Sequence, residues 1–464
     1  MSGWSNDRNA PVTSRGLALG LLLAIVEATA GHAQQLLVSW PAPGDTSLVQ
    51  AVLGAVHRGN PELAARRAAL EAAEARGRAA GPAPAAVLSV EAEDVPGGLD
   101  LSRANTRVQV DRELLNGGRR AAARSAAVSE VTLASAALGS AESRISALTT
   151  QALTQGVGWA AIAGRLEAED SLLASAEASL RTRFAVGDAR YVEVLRLRAE
   201  RLRVETEQAA ATTEVQAARR RLIGLAPAAD SVIPDVGNLV DSLIAVSRVR
   251  PWRIGLPQPP NPDSLIAASG AMRLADAALG RAQAARQVVL AEQRSRLTAF
   301  LGAQHFAGDN GQFSVGPTLG ASLSLPFTAG RAGSRAAAAA DQGVRAAGAD
   351  RQATLSAART ELLVSRDRYE AARARLAVYD AALLRGAQEE REAALAAYRN
   401  GELSLLELID FERALARAET DRIRTVMDGV DALVAMLTAA AGSPTASSES
   451  TLLMSSFGTT SNAP

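Results

Sequence analysis

The chain has 464 residues, long enough for more than one domain. Its 49 cationic and 49 acidic side chains cancel, so no basic excess points to nucleic acid or to an anionic membrane surface. Cysteine is absent and the three His are scattered at His32, His57 and His305, which excludes disulfides, thiolate metal sites and a Cys nucleophile and argues against a His-based metal or catalytic cluster. Every cation is Arg, Ala is the commonest residue, and aromatics make up 3% of the chain. Such a composition packs small side chains over long distances and lacks the bulk of a large globular core. No cofactor and no metal site is expected.

The N-terminus reads as an export signal. Arg8 and Arg15 precede an apolar run from Leu17 to Val26, and Gly31-His32-Ala33 supplies the small residues of a cleavage site, so residues 1–33 are expected to be removed. The run is too short to span a bilayer, which takes roughly 20 apolar residues. The mature chain is then periplasmic, secreted or inserted as a β-barrel.

The remainder repeats itself, and repeats decide architecture. Asn60-Pro61 is echoed by Asn261-Pro262, and Leu115-Asn116-Gly117-Gly118-Arg119 by Phe327-Thr328-Ala329-Gly330-Arg331. Phe184-Ala185-Val186-Gly187-Asp188 is echoed by Tyr398-Arg399-Asn400-Gly401-Glu402, and Glu193-Val194-Leu195 by Glu407-Leu408-Ile409. This places a first repeat at 48–225 and a second at 261–441. A Pro-rich connector at 226–260 is expected to be irregular, and a Ser/Thr-rich tail, 442–464, to be disordered.

Each repeat reads as a helix, a β-hairpin and a long helical hairpin. The β-hairpins are expected at about 86–113 and about 297–327, where apolar and polar residues alternate with period two. Leu88, Val90 and Ala92 alternate with Ser89, Glu91 and Glu93; Val315, Leu319, Ala321 and Leu323 share one face, and Ser314, Thr318, Ser322 and Ser324 the other. Phe300, Phe306, Phe313 and Phe327 gather in the second hairpin, which suggests a lipid-facing surface. Each strand approaches the 9–11 residues that cross a bilayer when tilted. The helices carry apolar residues every seventh position: Ile145, Ala152, Trp159, Leu166, Leu173 and Leu180, then Leu195, Leu202 and Ala209 beyond the turn; and Leu355, Leu362, Tyr369, Leu376 and Leu383, then Ile409, Ala416 and Ile423. A sustained seven-residue repeat keeps a narrow seam against a partner helix, so antiparallel coiled coils are expected with tips near Gly187 and Gly401.

Backbone in lipid must be fully paired, so an inserted sheet has to close. Four strands cannot, because the smallest barrels have about eight. The expected fold is therefore a mixed α+β membrane protein, in which each subunit contributes two β-hairpins to a shared barrel.

The doubled Asn-Pro starts, the Gly-Arg after each β-hairpin and the two tip motifs together resemble the outer-membrane factor (TolC-like) efflux family, over about residues 48 to 441. The resemblance implies a homotrimer in outer-membrane lipid, with a 12-stranded barrel above an α-helical barrel in the periplasm. It also implies two partners, an inner-membrane transporter and a periplasmic adaptor. The role implied is a passive exit conduit for small solutes in a tripartite pump, or for type I secretion. The stretch from Val90 to Asp94, then Gly97-Gly98 and Leu114 to Arg120, is similar to the heavy-metal-efflux branch, which would make metal cations the cargo. In the family the tips receive the adaptor; here that implies Phe184, Gly187 and Asp188 in one tip and Tyr398, Gly401 and Glu402 in the other. An acidic ring narrowing the pore is implied at Glu407 and Asp410. Glu193 matches an acid that latches to an Arg of the other tip, but Leu403 stands where that Arg would be. No nucleophile–base pair suggests an enzyme. The competing reading is a soluble periplasmic coiled-coil adaptor or scaffold, which explains the heptads but not two amphipathic β-hairpins.

Overall fold

The structure, a computed structural model, describes residues 43–80, 85–93, 105–115, 118–227, 236–249, 269–307, 313–324 and 329–441, with isolated positions between 256 and 266. The expected export signal and the C-terminal tail lie outside these residues. In chain order the elements are α1 (Pro43–Gly59), α2 (Pro61–Ala79), β1 (Val87–Glu93), β2 (Asn105–Leu115), α3 (Arg119–Ala185), α4 (Tyr191–Leu225), α5 (Val236–Val249), α6 (Gly270–Glu292), β3 (Arg296–Ala307), β4 (Phe313–Ser324), α7 (Ala329–Val378), a π-turn (Tyr379–Leu383), α8 (Leu384–Arg399) and α9 (Leu405–Ala441). Helix, β-hairpin, long helix and shorter helix thus occur twice in the same order. No helix among the described residues is long and apolar enough to cross a membrane.

The chain divides into two compact units, and α3 and α7 contribute residues to both. Of the described residues, one unit holds those within Asn60–Ile145 and Leu265–Leu363 together with Leu437–Ala441. Its helix α2 starts where Asn60 accepts a hydrogen bond from the Leu63 N–H at 3.0 Å and Pro61 takes the first turn. Pro lacks the N–H that would go unpaired there, and its fixed φ suits a helix start. Asn261 has no such role for α6, which begins at Gly270 behind the N-cap Ser269. The buried residues of α6 include Ala277, Ala284 and Ala291, a seam of small side chains at period seven. Arg119, from the first Gly-Arg motif, donates from Nε to the Ala291 carbonyl at 3.2 Å and so closes the end of α6.

The sheet of this unit is antiparallel, in the order β1-β2-β3-β4, so among the described residues β1 and β4 each have a single neighbour and both outer edges are open. Its register aligns Leu88, Val110, Leu301 and Leu319 in one row across all four strands, and Val90, Val108, Ala303 and Pro317 in the next. Leu88 is 66% exposed and Leu319 81%. On the other face Arg107 donates to Gln304 Oε1 at 3.1 Å and lies 3.7 Å from Glu91, while Ser89 donates to Asp111 at 2.6 Å. Phe300 corrects one expectation: it shares this polar face, pairs with Gly320, and leaves no room for a side chain there, since a Cβ on Gly320 would sit 2.4 Å from the Phe300 Cζ. Strand alternation assigns its face, and the Phe enrichment of the hairpin does not override it.

Of the described residues, the second unit holds Pro43–Gly59 and those within Ser146–Ser264 and Val364–Met436. It holds two antiparallel helical hairpins, α3 with α4 and α7–α8 with α9. The outgoing helices are long, 67 residues in α3 and 50 in α7 before the π-turn. The returning ones are only 35 and 37 residues. The expected seam of α3 is buried at Ile145, Ala152, Leu166, Leu173 and Leu180. In α4 the phase differs from expectation: Leu195 and Leu202 are exposed, and Val194, Leu197, Val204, Ala211, Val215, Ala218 and Leu222 turn inward. Both series fit a helix, and packing against α3 selects the one richer in β-branched residues and Ala. Within α7 the seam runs through Leu362, Tyr369 and Leu376, but Leu383 is exposed because the π-turn takes up one extra residue. Burial pushes the Tyr369 hydroxyl up to about 12. The connector, expected to be irregular, carries the helix α5 in its middle, packed on α1 and α4 through Val240 and Leu243. Pro234 and Pro251 bracket a Pro-free amphipathic stretch, which is free to be helical.

Candidate functional site

The two tips lie in the same unit and use the same local device. In the first, Gly187 donates to the Phe184 carbonyl at 3.0 Å and Asp188 to the Arg183 carbonyl at 2.8 Å. In the second, Gly401 donates to Tyr398 at 3.1 Å and Glu402 to Ala397 at 2.9 Å. Each is a Schellman stop, which needs a left-handed residue at the turn. Gly187 has φ 84° and Gly401 has φ 78°. The expected turn glycines therefore sit where only glycine avoids a steric cost.

The N-cap of the next helix lies three residues later, at Arg190 and Ser404. Ser404 caps α9: the Glu407 N–H donates to Ser404 Oγ at 3.3 Å, and both the N–H and the hydroxyl of Ser404 donate to the Glu407 carboxylate, at 2.8 and 2.7 Å. These bonds hold the Glu407 carboxyl below the usual range. Glu193 stands at the same point of α4 and accepts from the Arg190 N–H at 3.4 Å. Arg offers no acceptor to return the bond, so only half of the capping box forms. The carboxylate of Glu193 thus lies at its own helix start.

Asp410 lies one turn further along α9, 3.1 Å from Arg413 and 3.9 Å from Arg196 of α4. Arg413 also reaches Glu200 at 3.0 Å, so a chain of alternating charges links the two hairpins just inside the tips. Deeper in, Arg165 meets Glu419 at 2.6 Å. Glu169 of the same helix has its carboxyl raised, first by burial, which the nearby Arg165 and Arg413 only partly offset. The tips differ in surface. Phe184 and Tyr191 pack with ring centroids 5.5 Å apart, and Val186 beside them is 77% exposed. Arg183 and Asp188 form an exposed pair at 3.0 Å. The second tip is polar, with Arg399, Asn400 and Glu402 exposed and Tyr398 half-buried.

The structure thus sets Asp410 of the second hairpin beside Arg196 of the first, while Glu407 caps its own helix. It adds Ser404, Arg413, Arg196 and Glu200, which the sequence reading missed. Ser404 was legible as the start of a Ser-x-x-Glu capping box. The arginines were not, because their partners come from another helix. His305 lies by register in the row of Thr106 and Val315, and among the described residues no group of three or more His, Asp or Glu is placed to hold a metal ion.

No protein-family model and no curated protein matches the sequence. Solved structures do match. A membrane protein from Pseudomonas aeruginosa superposes with a TM-score of 0.66 at 19% identity, over 85% of this chain and 93% of that one. The outer membrane protein VceC of Vibrio cholerae gives 0.65 at 18% identity, over 85% and 96%. The CmeC outer membrane channel of Campylobacter jejuni gives 0.65 at 12% identity, over 88% and 89%. Near-complete coverage of both chains means that sheet and helical hairpins are shared together. This chain has the fold of the TolC-like outer-membrane channels.

Proposed function

We propose that the protein is the outer-membrane channel of a tripartite efflux pump, working as a homotrimer. The observation that carries this reading is the sheet. One face presents aligned Leu and Val outward, the other is polar, and both edges are open. Each such side chain left in water forgoes about 1.5–3 kcal/mol of burial, so rows of them call for an apolar medium. In lipid the open edges would be unpaired as well, which only closure against further copies relieves. Three copies supply a 12-stranded barrel, above the roughly eight strands of the smallest ones.

On this reading the helical hairpins continue the conduit into the periplasm, and the tips receive a periplasmic adaptor that links to an inner-membrane transporter. The apolar tip around Phe184, Val186 and Tyr191 is the better docking surface, and the polar tip at Tyr398, Gly401 and Glu402 completes it. Asp410 and Glu407 from three subunits form an acidic constriction that favours cations. Glu407 contributes charge from the helix start, while Asp410 stands half-exposed between Arg413 and Arg196. Transport is passive and needs no covalent chemistry. The likeness of the Val90–Arg120 stretch to heavy-metal efflux channels makes metal cations the first solutes to try.

Single-channel conductance of the purified protein in a planar bilayer tests this. Wild type should give small cation-selective openings, and Glu407→Ala/Asp410→Ala should enlarge them or reduce their selectivity. Openings unchanged in the double variant would retain the channel and remove the constriction. Folded protein that never inserts would overturn the channel in favour of a soluble coiled-coil scaffold.

A further inference from the structure

The buried residues in the second half of α7 fall at Ala358, Leu362, Ser365, Tyr369, Ala372 and Leu376, alternating steps of four and three. In α8 Ala394 is buried, and the half-buried Leu384, Ala387, Arg391 and Tyr398 continue the same alternation about it, beside the half-buried Gly386, Leu395 and Ala397. The step joining the two series is eight instead of seven. The π-turn absorbs the surplus residue: the Leu384 N–H donates to the Tyr379 carbonyl, five residues back. Val378, Leu383 and Leu384 all keep right-handed helical angles, so the rod continues through the turn. Without the wider turn, α8 would be rotated by about 100°, one residue's worth of helix.

Between Leu376 and Ala394 no residue is buried. This stretch is held to α9 by ion pairs: Asp380 in the π-turn to Arg422 at 2.6 Å, and Arg391 to Glu412 at 2.6 Å. Arg422 is only 13% exposed, whereas Asp380 is 47% exposed. One side of the pair is thus anchored in the hairpin and the other sits on the turn. A single-turn π-bulge in a long helix is uncommon and, where it occurs, is frequently at a functional site.

We propose that Tyr379–Leu383 is a joint in the second helical hairpin, latched by Asp380 on Arg422, about which α8 and its tip turn relative to α9. Two local arrangements are available to it. In one the extra residue stays in the π-turn and α8 is seated. In the other the latch is open and the surplus residue is passed along the helix, which rotates α8 and carries the tip with it. What the motion opens rests on the channel reading above; the joint itself does not.

The cysteine-free sequence allows direct measurement by spin labelling. Ala371→Cys and Ala393→Cys are exposed sites on either side of the joint, about 33 Å apart along the helix. Pulsed electron-electron distances in the detergent-purified full chain should show two populations. Asp380→Asn should shift their ratio about tenfold toward the unlatched one, within the range of ordinary coupling between states. The exchange Asp380→Arg/Arg422→Asp should restore the wild-type ratio, and deletion of Ala381, which makes the heptads continuous, should leave one narrow distance. A single narrow distance in wild type that Asp380→Asn does not alter would overturn the joint. In planar bilayers Asp380→Asn should raise the open probability, and deletion of Ala381 should lower it by about tenfold. Unchanged openings in both would overturn its role in gating. Two distances in a protein that carries no current would support the joint and overturn the channel.

Discussion

The Glu407 carboxylate is engaged with Ser404, and this changes what its removal reports. Ser404→Ala removes the acceptor for the first turn of α9 and should cost about 1 kcal/mol of helix stability. Amide exchange from Leu405 to Leu408 should speed up accordingly while the charge at Glu407 stays. If ion selectivity follows Asp410→Asn but not Ser404→Ala, charge and not helix order sets it. Because its carboxyl is held low, Glu407 supports the helix start above the ordinary carboxylate range, and this support is lost as the pH falls through its lowered value. Glu169 has the opposite sign. Its carboxyl is raised by burial, so the charged form is tolerated less in the folded chain. Glu169→Gln should raise the thermal midpoint at neutral pH, and the gain should vanish as the pH falls into the carboxylate range. A loss at neutral pH would mean that Arg165 and Arg413 outweigh the burial. The acidic residues of the tips were readable along the chain, but the partners that set their charge come from elsewhere. Glu200 and Glu407 look alike in sequence; one meets Arg413 across two helices and the other caps its own.

Within single elements, backbone geometry and alternation dominate. Gly401→Ala forces a side chain into the left-handed region and should cost about 1–2 kcal/mol, read as an earlier loss of helix on heating. In the sheet, Gly320→Ala drives a Cβ into the Phe300 ring and should cost about 1–3 kcal/mol through overpacking. Adding Phe300→Ala should recover part of that loss, and a strictly additive double variant would show that the two do not touch. The strands were legible because their pattern repeats every second residue, and the long helices because theirs repeats every seventh. The phase of α4 and the π-turn were not. Leu195 and Val194 are adjacent apolar residues, and only the surface of α3 decides which of them is buried.

At the scale of the whole molecule the test is what the exposed apolar rows face. Leu319→Arg at 81% exposure should be nearly neutral in a water-soluble protein, within about 0.5 kcal/mol. On a lipid face near the bilayer midplane it should cost about 2–4 kcal/mol. Membrane fractionation and heat-modified gel mobility of Leu319→Arg against wild type distinguish the two. Loss of the membrane-assembled form supports the barrel, and unchanged assembly would remove lipid from that face.

The amino-acid order alone specified the strands and long helices of the two repeats, where the chain reverses at Gly187 and Gly401, and that each β-hairpin has an apolar and a polar side. These are local properties, set by side-chain period and by the φ that a residue tolerates. Tertiary packing decided which of two neighbouring apolar positions faces inward, that Phe300 lies over Gly320, that α5 forms between two prolines, and that α7 accepts one extra residue before α8. Each of these depends on a surface supplied by a distant part of the chain, and helical or strand periodicity carries no record of it.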